Sequence, residues 1–195
     1  MTSWTTSPVQ PGGRAPAPGR LALVQSFVNT IDLEDGTESD EFSTLDGLTA
    51  WADRAGVVAP PSLTDEDREL AVRLREDIRR LAREHSGLEN AEPAEDRLER
   101  DLRELRLTAT VEQGRIALAG ASPLGSLLAP MIDALRTGMD DGTWSRLKVC
   151  HRDTCQWLFY DSSRNQASHW CATSICGSRE KAKRAYARRT GRASG

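Results

Sequence analysis

Apolar positions recur at helical spacing through most of the chain before residue 140 and give way to short alternating runs among cysteines after it. Leu21, Leu23, Val24, Phe27, Val28 and Ile31 form the first core-like segment, and their spacing predicts a helix ending near the polar run 32–41. Ser43 or Thr44 is placed to cap a short helix carrying Leu45, Leu48 and Trp51, with Gly56 as its stop. Thr64 opens a longer helix. Asp65, Glu66 and Asp67 fill its first turn, where the dipole favours acids, and Leu70, Leu74, Ile78 and Leu81 make one stripe with arginines on a solvated remainder. A further helix follows Pro93, with Leu98, Leu102 and Leu105 on one side. Thr108–Val111 and Arg115–Ala119 flank Glu112-Gln113-Gly114 and predict a β-hairpin. Ser122-Pro123 then opens a helix through Leu127, Leu128, Ile132 and Leu135 that stops near Gly138.

Beyond Asp140-Asp141-Gly142 the pattern changes. Leu147-Lys148-Val149 and Gln156–Tyr160 predict two short strands, residues 161–165 a turn, and Ser178–Arg189 a helix. Ala182, Ala185 and Tyr186 share one side of that helix and are expected to pack, with Lys181, Lys183, Arg184 and Arg188 opposite. The fold class is therefore α+β. A disordered tail over 1–19, too poor in apolar side chains to order itself, precedes a mainly helical domain with a β-hairpin over 20–140 and a small basic module over 141–195.

Charge sharpens this division. The overall net charge of −3 combines a net +8 from Arg146 onward (11 Lys/Arg against 3 Asp/Glu) with a net −11 before it. No apolar run approaches the ~20 residues that span a bilayer, and the N-terminus lacks the basic-then-apolar pattern of a secretory leader, so a cytoplasmic protein without membrane attachment is expected.

All four cysteines lie in the basic module as Cys150-x4-Cys155 and Cys171-x4-Cys176. Two close pairs joined by a short loop supply the four thiolates of a tetrahedral zinc site, one structural ion per chain. Disulfides would suit a secreted chain and a redox dithiol would read Cys-x-x-Cys, so zinc is the favoured reading. His151 and His169 are expected at the surface, because four thiolates already fill the site. No phosphate loop, nucleophile elbow or metalloprotease helix is present, and His85 stands alone at a helix C-terminus; no catalytic residues are expected and the chain does not read as an enzyme.

The run Cys150-x4-Cys155-x-Trp157-x-Phe159-x-Asp161-x-Ser163-Arg164-Asn165, followed by Trp170-Cys171-x4-Cys176-Gly177-Ser178-Arg179-x-Lys181, resembles the CGNR zinc finger, with Ser178 where that family usually has Asn. Upstream, Phe27-Val28-Asn29-Thr30, Leu45-x2-Leu48-x2-Trp51 and Gly56 are similar to the ABATE domain that precedes this finger in bacterial stress-induced transcription regulators. The resemblance implies a DNA-binding finger behind an N-terminal sensor or dimerisation domain. Arg164, Arg179, Lys181, Lys183, Arg184 and Arg188 would then meet duplex phosphates, with a small-molecule effector and a homodimer as further expectations. The alternative is a zinc-stabilised interaction module whose basic finger docks on an acidic partner. RNA binding would need exposed aromatics, whereas Trp157, Phe159 and Trp170 read as the finger's own core.

Overall fold

The computed structural model describes residues 14–33, 39–88 and 92–191. Among the described residues, helices α1 (Leu21–Val28), α2 (Leu45–Ala55), α3 (Asp65–His85), α4 (Glu92–Glu104), α5 (Pro123–Asp140) and α6 (Ser178–Arg189) are interspersed with three antiparallel strand pairs. These are β1 (Ile31–Asp32) with β2 (Ser39–Asp40), β3 (Leu107–Glu112) with β4 (Arg115–Gly120), and β5 (Leu147–Val149) with β6 (Leu158–Tyr160). The class is α+β, with a helical N-terminal region followed by strands, the cysteines and a last helix.

α1 is buried on every side, as a helix apolar around its whole circumference must be. It stops at Val28 rather than Ile31. Asn29 caps it through its backbone N–H to Gln25 O, and Ile31 leaves to pair with Asp40. Phe27, Phe42 and Trp51 pack with ring centroids 5.1 to 6.1 Å apart, and the Trp51 indole N–H donates to Ser26 Oγ at 3.2 Å. Thr64 and Asp67 form a reciprocal capping box that starts α3 where expected. The β3–β4 hairpin lies so close to α5 that a Cβ on Gly120 would stand 1.9 Å from the Gly125 carbonyl carbon. One on Gly125 would stand 2.0 Å from Leu105 O, so both positions require glycine.

The arginine face of α3 is not the solvated surface expected from the charge pattern. Arg75, Asp77 and Arg79 are buried, because α1 and the turn at 41–43, α4, and β5 pack around α3. Arg75 donates to both carboxylate oxygens of Asp40 (2.6 and 2.8 Å). Asp77 accepts from Arg80 and Arg97, each at 2.8 Å, while Arg79 donates to Val28 O (2.6 Å) and Gln156 O (2.8 Å). A buried arginine persists only where such partners offset its desolvation.

The core also runs across residues 140–142: Leu147, Val149 and Leu158 join the same cluster as Phe27, Leu74 and Leu127. The tail expected over 1–19 mostly falls outside the described residues, but its last part differs from expectation. Ala17 is buried in the core and Arg14 against the cysteines, because Gln25 gives that segment backbone partners: its Oε1 accepts from Ala17 N at 2.6 Å and its Nε2 donates to Ala15 O at 3.4 Å.

Candidate metal centre and basic helix

The strands β5 and β6 set the geometry of the first cysteine pair. Val149 faces Leu158 in the antiparallel register, and Cys150 N donates to Trp157 O one step further on. Cys155 closes a tight knuckle through its N–H to Arg152 O at 2.9 Å. The second pair follows a loop pinned by His151 N to His169 O at 3.0 Å, and a π-type turn over Thr173–Gly177 delivers Cys176. All four sulfurs lie within 4.8 Å of one another, with Cys155–Cys171 at 3.7 Å and Cys171–Cys176 at 3.6 Å.

These separations match the edge of a tetrahedron with zinc–sulfur bonds of ~2.3 Å, which is about 3.8 Å, and are far beyond the ~2.05 Å of a disulfide. Taken alone, the four sulfurs cannot all ionise. Hydrogen bonds from Cys150, Cys155 and Arg14 hold Cys171 far below the ordinary thiol range, while the hydrogen bond to Cys150 and the charges of its neighbours push Cys155 far above it. A dication lets them ionise together. The donor set therefore fits one structural zinc bound by Cys150, Cys155, Cys171 and Cys176, with no coordination position left for substrate or water.

Around the sulfurs, Trp157 is buried and Trp170 and Ile175 are half-buried, so the two tryptophans serve as the finger's core, while Phe159 is buried on β6 outside that cluster. His151 and His169 meet edge to face with centroids 4.5 Å apart beside the site and take no part in the sulfur cluster. His85 is a structural residue: its Nδ1 lies 2.8 Å from Leu147 O and its ring meets Trp144 edge-on. Gly177 adopts ordinary helical φ, donates its N–H to Ala172 O at 3.3 Å and gives room to Trp170, whose Cδ1 a Cβ there would approach to 3.2 Å.

Sequence reasoning missed two charged groups of this region. Lys148, on the strand face opposite Val149, is buried and donates to Asp161 Oδ2 at 3.0 Å and to Gln166 O. The Asp161 carboxylate also accepts from the N–H and hydroxyl of both Ser163 and Ser168 at 2.6 to 3.0 Å, and so fixes the loop that carries Arg164. Burial opposes its ionisation, yet these donors and Lys148 hold its pKa well below the usual carboxylate range. The signal was a lysine inside an alternating apolar strand. Arg14 gave no signal, because its partner Cys171 lies 157 positions away.

The basic residues are arranged differently from expectation. Arg164 is exposed on the 161–168 loop; Arg179, Lys181, Lys183, Arg184 and Arg188 are exposed on α6. The side bearing Ala182, Ala185 and Tyr186 does not pack on the finger. α6 buries no residue and Tyr186 is 58% exposed, because the knuckle core is already closed by Trp157 and Trp170. Ser178 Oγ donates to Thr173 O at 3.2 Å and ties the start of α6 across the preceding turn.

Fold and site together define a four-cysteine zinc finger fused to a helical domain through a common core. Compared with family models, residues 146–189 match the CGNR zinc finger and residues 21–138 match ABATE, described as "Putative stress-induced transcription regulator". The second match spans more than half of the chain, and the protein belongs to the ABATE family, with a CGNR zinc finger at its C-terminal end. No curated protein matches it. Among the described residues no helix is long and apolar enough to cross a membrane.

Proposed function

We propose that this protein is a non-enzymatic transcription regulator that binds duplex DNA in the cytoplasm through α6 and the neighbouring basic residues of its zinc finger. The observation that carries the reading is α6 itself. A helix that buries no side chain gains little from packing, yet it is held at its N-terminal end by a zinc knuckle and displays Lys181, Lys183, Arg184 and Arg188 to solvent. Such a row of exposed cations on a rigid base is suited to phosphate contact.

Docking of the finger on an acidic protein surface is the second reading. Four aspartates of the N-terminal region, Asp40, Asp77, Asp101 and Asp133, are already engaged by Arg75, Arg80, Arg97, Arg73, Arg20 and Arg136, so they offer the finger no free charge. Within the proposal, the N-terminal region serves as sensor or dimerisation surface. A groove of about 530 Å³ between α3 and α4, edged by Arg73, Asp77, Arg80, Arg97 and Asp101, is where a polar effector is sought.

The test is a salt titration of duplex binding. Replacing Lys183, Arg184 and Arg188 together by Ala should leave zinc content unchanged and flatten the slope of log affinity against log salt by roughly 2–3, at about 0.9 per lost phosphate contact. Unchanged affinity and slope would remove α6 from the interface and favour the acidic-partner reading.

A further inference from the structure

The segment before α1 reaches across the molecule to the metal centre. Arg14 is 5% exposed, its Nε donates to Cys171 Sγ at 3.2 Å, and its guanidinium carbon sits 4.9 Å from the centroid of the Trp157 ring. Trp157 is itself part of the core around the sulfurs, and Cys171 is the one cysteine of the four that is not fully buried. Arg14 therefore covers the most accessible sulfur from outside. Its backbone is held in place independently: Gln25 accepts from Ala17 N and donates to Ala15 O and to Leu158 O, so one amide ties the segment to both α1 and β6.

A zinc dication on four thiolates carries a net charge of about −2. An enclosed site with that surplus is costly unless cationic donors stand close to the sulfurs. Arg14 is such a donor, and its hydrogen bond lowers the electron density available on Cys171. We propose that Arg14 is an outer positioning residue of the zinc centre, and that residues 14–17 form a latch which slows loss of the metal by shielding and partly neutralising Cys171. Metal retention in the finger is thereby coupled to the docking of a segment that lies outside both matched family regions.

The experiment uses the full-length zinc-loaded protein and the variants Arg14→Ala, Arg14→Gln and Arg14→Lys. Zinc transfer to a chromogenic chelator should be about tenfold faster or more in Arg14→Ala and Arg14→Gln, as for lost outer partners of metal ligands generally. Arg14→Lys, which keeps the charge, should remain closer to the parent. In the cobalt-substituted proteins, removing a donor from a thiolate raises its lone-pair energy. The sulfur-to-cobalt charge-transfer band should therefore move to lower energy in Arg14→Gln and less so in Arg14→Lys, a change that loss of packing alone would not produce. Alkylation of the zinc-loaded Gln variant should mark Cys171 first. Release rates and band positions equal to the parent would overturn the proposal, as would an Arg14→Lys protein indistinguishable from Arg14→Gln. If Arg14→Ala does not fold, the Gln and Lys pair decides.

Discussion

Asn29 and Leu158 pair as two β-strands would: the Asn29 Nδ2 donates to Leu158 O and its Oδ1 accepts from Leu158 N, both at 2.8 Å. Ser86 repeats the device on the facing strand, accepting from Val149 N at 2.9 Å and donating to Val149 O at 3.1 Å. Val149 and Leu158 are opposite one another in the β5–β6 register, and neither bonds its partner, so their outward amide groups need partners elsewhere. Side chains from the ends of α1 and α3 supply them. The finger's hairpin is thus a two-stranded sheet completed on both edges by the N-terminal region.

Replacing Asn29 by Ala leaves the buried Leu158 N–H unpaired, while Leu158 O keeps the Gln25 amide as its remaining donor. The expected cost is about 1–3 kcal/mol for that one unsatisfied group. Because the hairpin and α1 share a core, the parent chain should unfold in one cooperative transition and the variant in two, read by urea titration with tryptophan fluorescence and far-ultraviolet dichroism side by side. A variant with an unchanged midpoint would show that water serves Leu158 equally well. By the same argument a fragment covering 20–140 should expose the surface of α1 and α3 that meets Leu147, Val149 and Leu158, and bind a hydrophobic dye.

The Asp40–Arg75 pair gives the N-terminal region an acid-sensitive contact. Burial alone would raise the Asp40 pKa, but the two hydrogen bonds from Arg75, its charge and the Phe42 N–H bring it below the ordinary value. A carboxylate depressed on folding contributes stability that is complete above its unfolded pKa of about 4 and lost as pH falls through the lower folded value. Asp40→Asn should therefore destabilise the protein by about 2 kcal/mol at neutral pH, where buried Arg75 loses its two charged hydrogen bonds and keeps only Glu76 as counter-charge, and by much less in strong acid. Thermal midpoints of the two proteins between neutral pH and pH 3 measure this; parallel curves would refute it.

Much of this was legible in the chain itself. Local signals placed the Thr64 and Ser122 caps, the Gly114 turn and the paired cysteines, because caps, turns and metal knuckles are written within a few residues of one another. What escaped depends on distant partners. The α3 arginines look solvated until Asp40 is brought to Arg75 and the Val28 and Gln156 carbonyls to Arg79, and Asn29 looks like a helix end until Leu158 is beside it. Arg14 sits in a proline-rich stretch whose composition gives no hint of Cys171. The amphipathic reading of α6 failed for the opposite reason, since Ala182 and Ala185 are too small to compel burial.

Zinc should hold the finger but not the whole fold. Replacing Cys176, the most enclosed ligand, by Ser should abolish stoichiometric zinc, measured by elemental analysis, and raise protease cleavage after residue 160. The Phe27–Phe42–Trp51 cluster is built from residues far from the sulfurs and should keep its near-ultraviolet dichroism. Retention of one zinc per chain would show that the remaining three cysteines recruit another ligand.

Ser178 occupies the position that is usually Asn in the family's motif, and its hydroxyl does one identifiable thing: it donates to Thr173 O across the turn that carries Cys176. An asparagine amide is also a donor of short reach, so Ser178→Asn should preserve the bond, whereas Ser178→Ala removes it. Because the site is exposed, the loss should be modest, about 0.5–1 kcal/mol, and confined to the 173–182 segment. Amide exchange there should quicken severalfold in Ser178→Ala and stay near the parent rate in Ser178→Asn, with zinc bound in all three. Since α6 has no packed face to compensate, a frayed start should weaken duplex binding in Ser178→Ala even though every cation is retained. Equal exchange in Ser178→Ala and parent would mean that the zinc knuckle alone orients the helix.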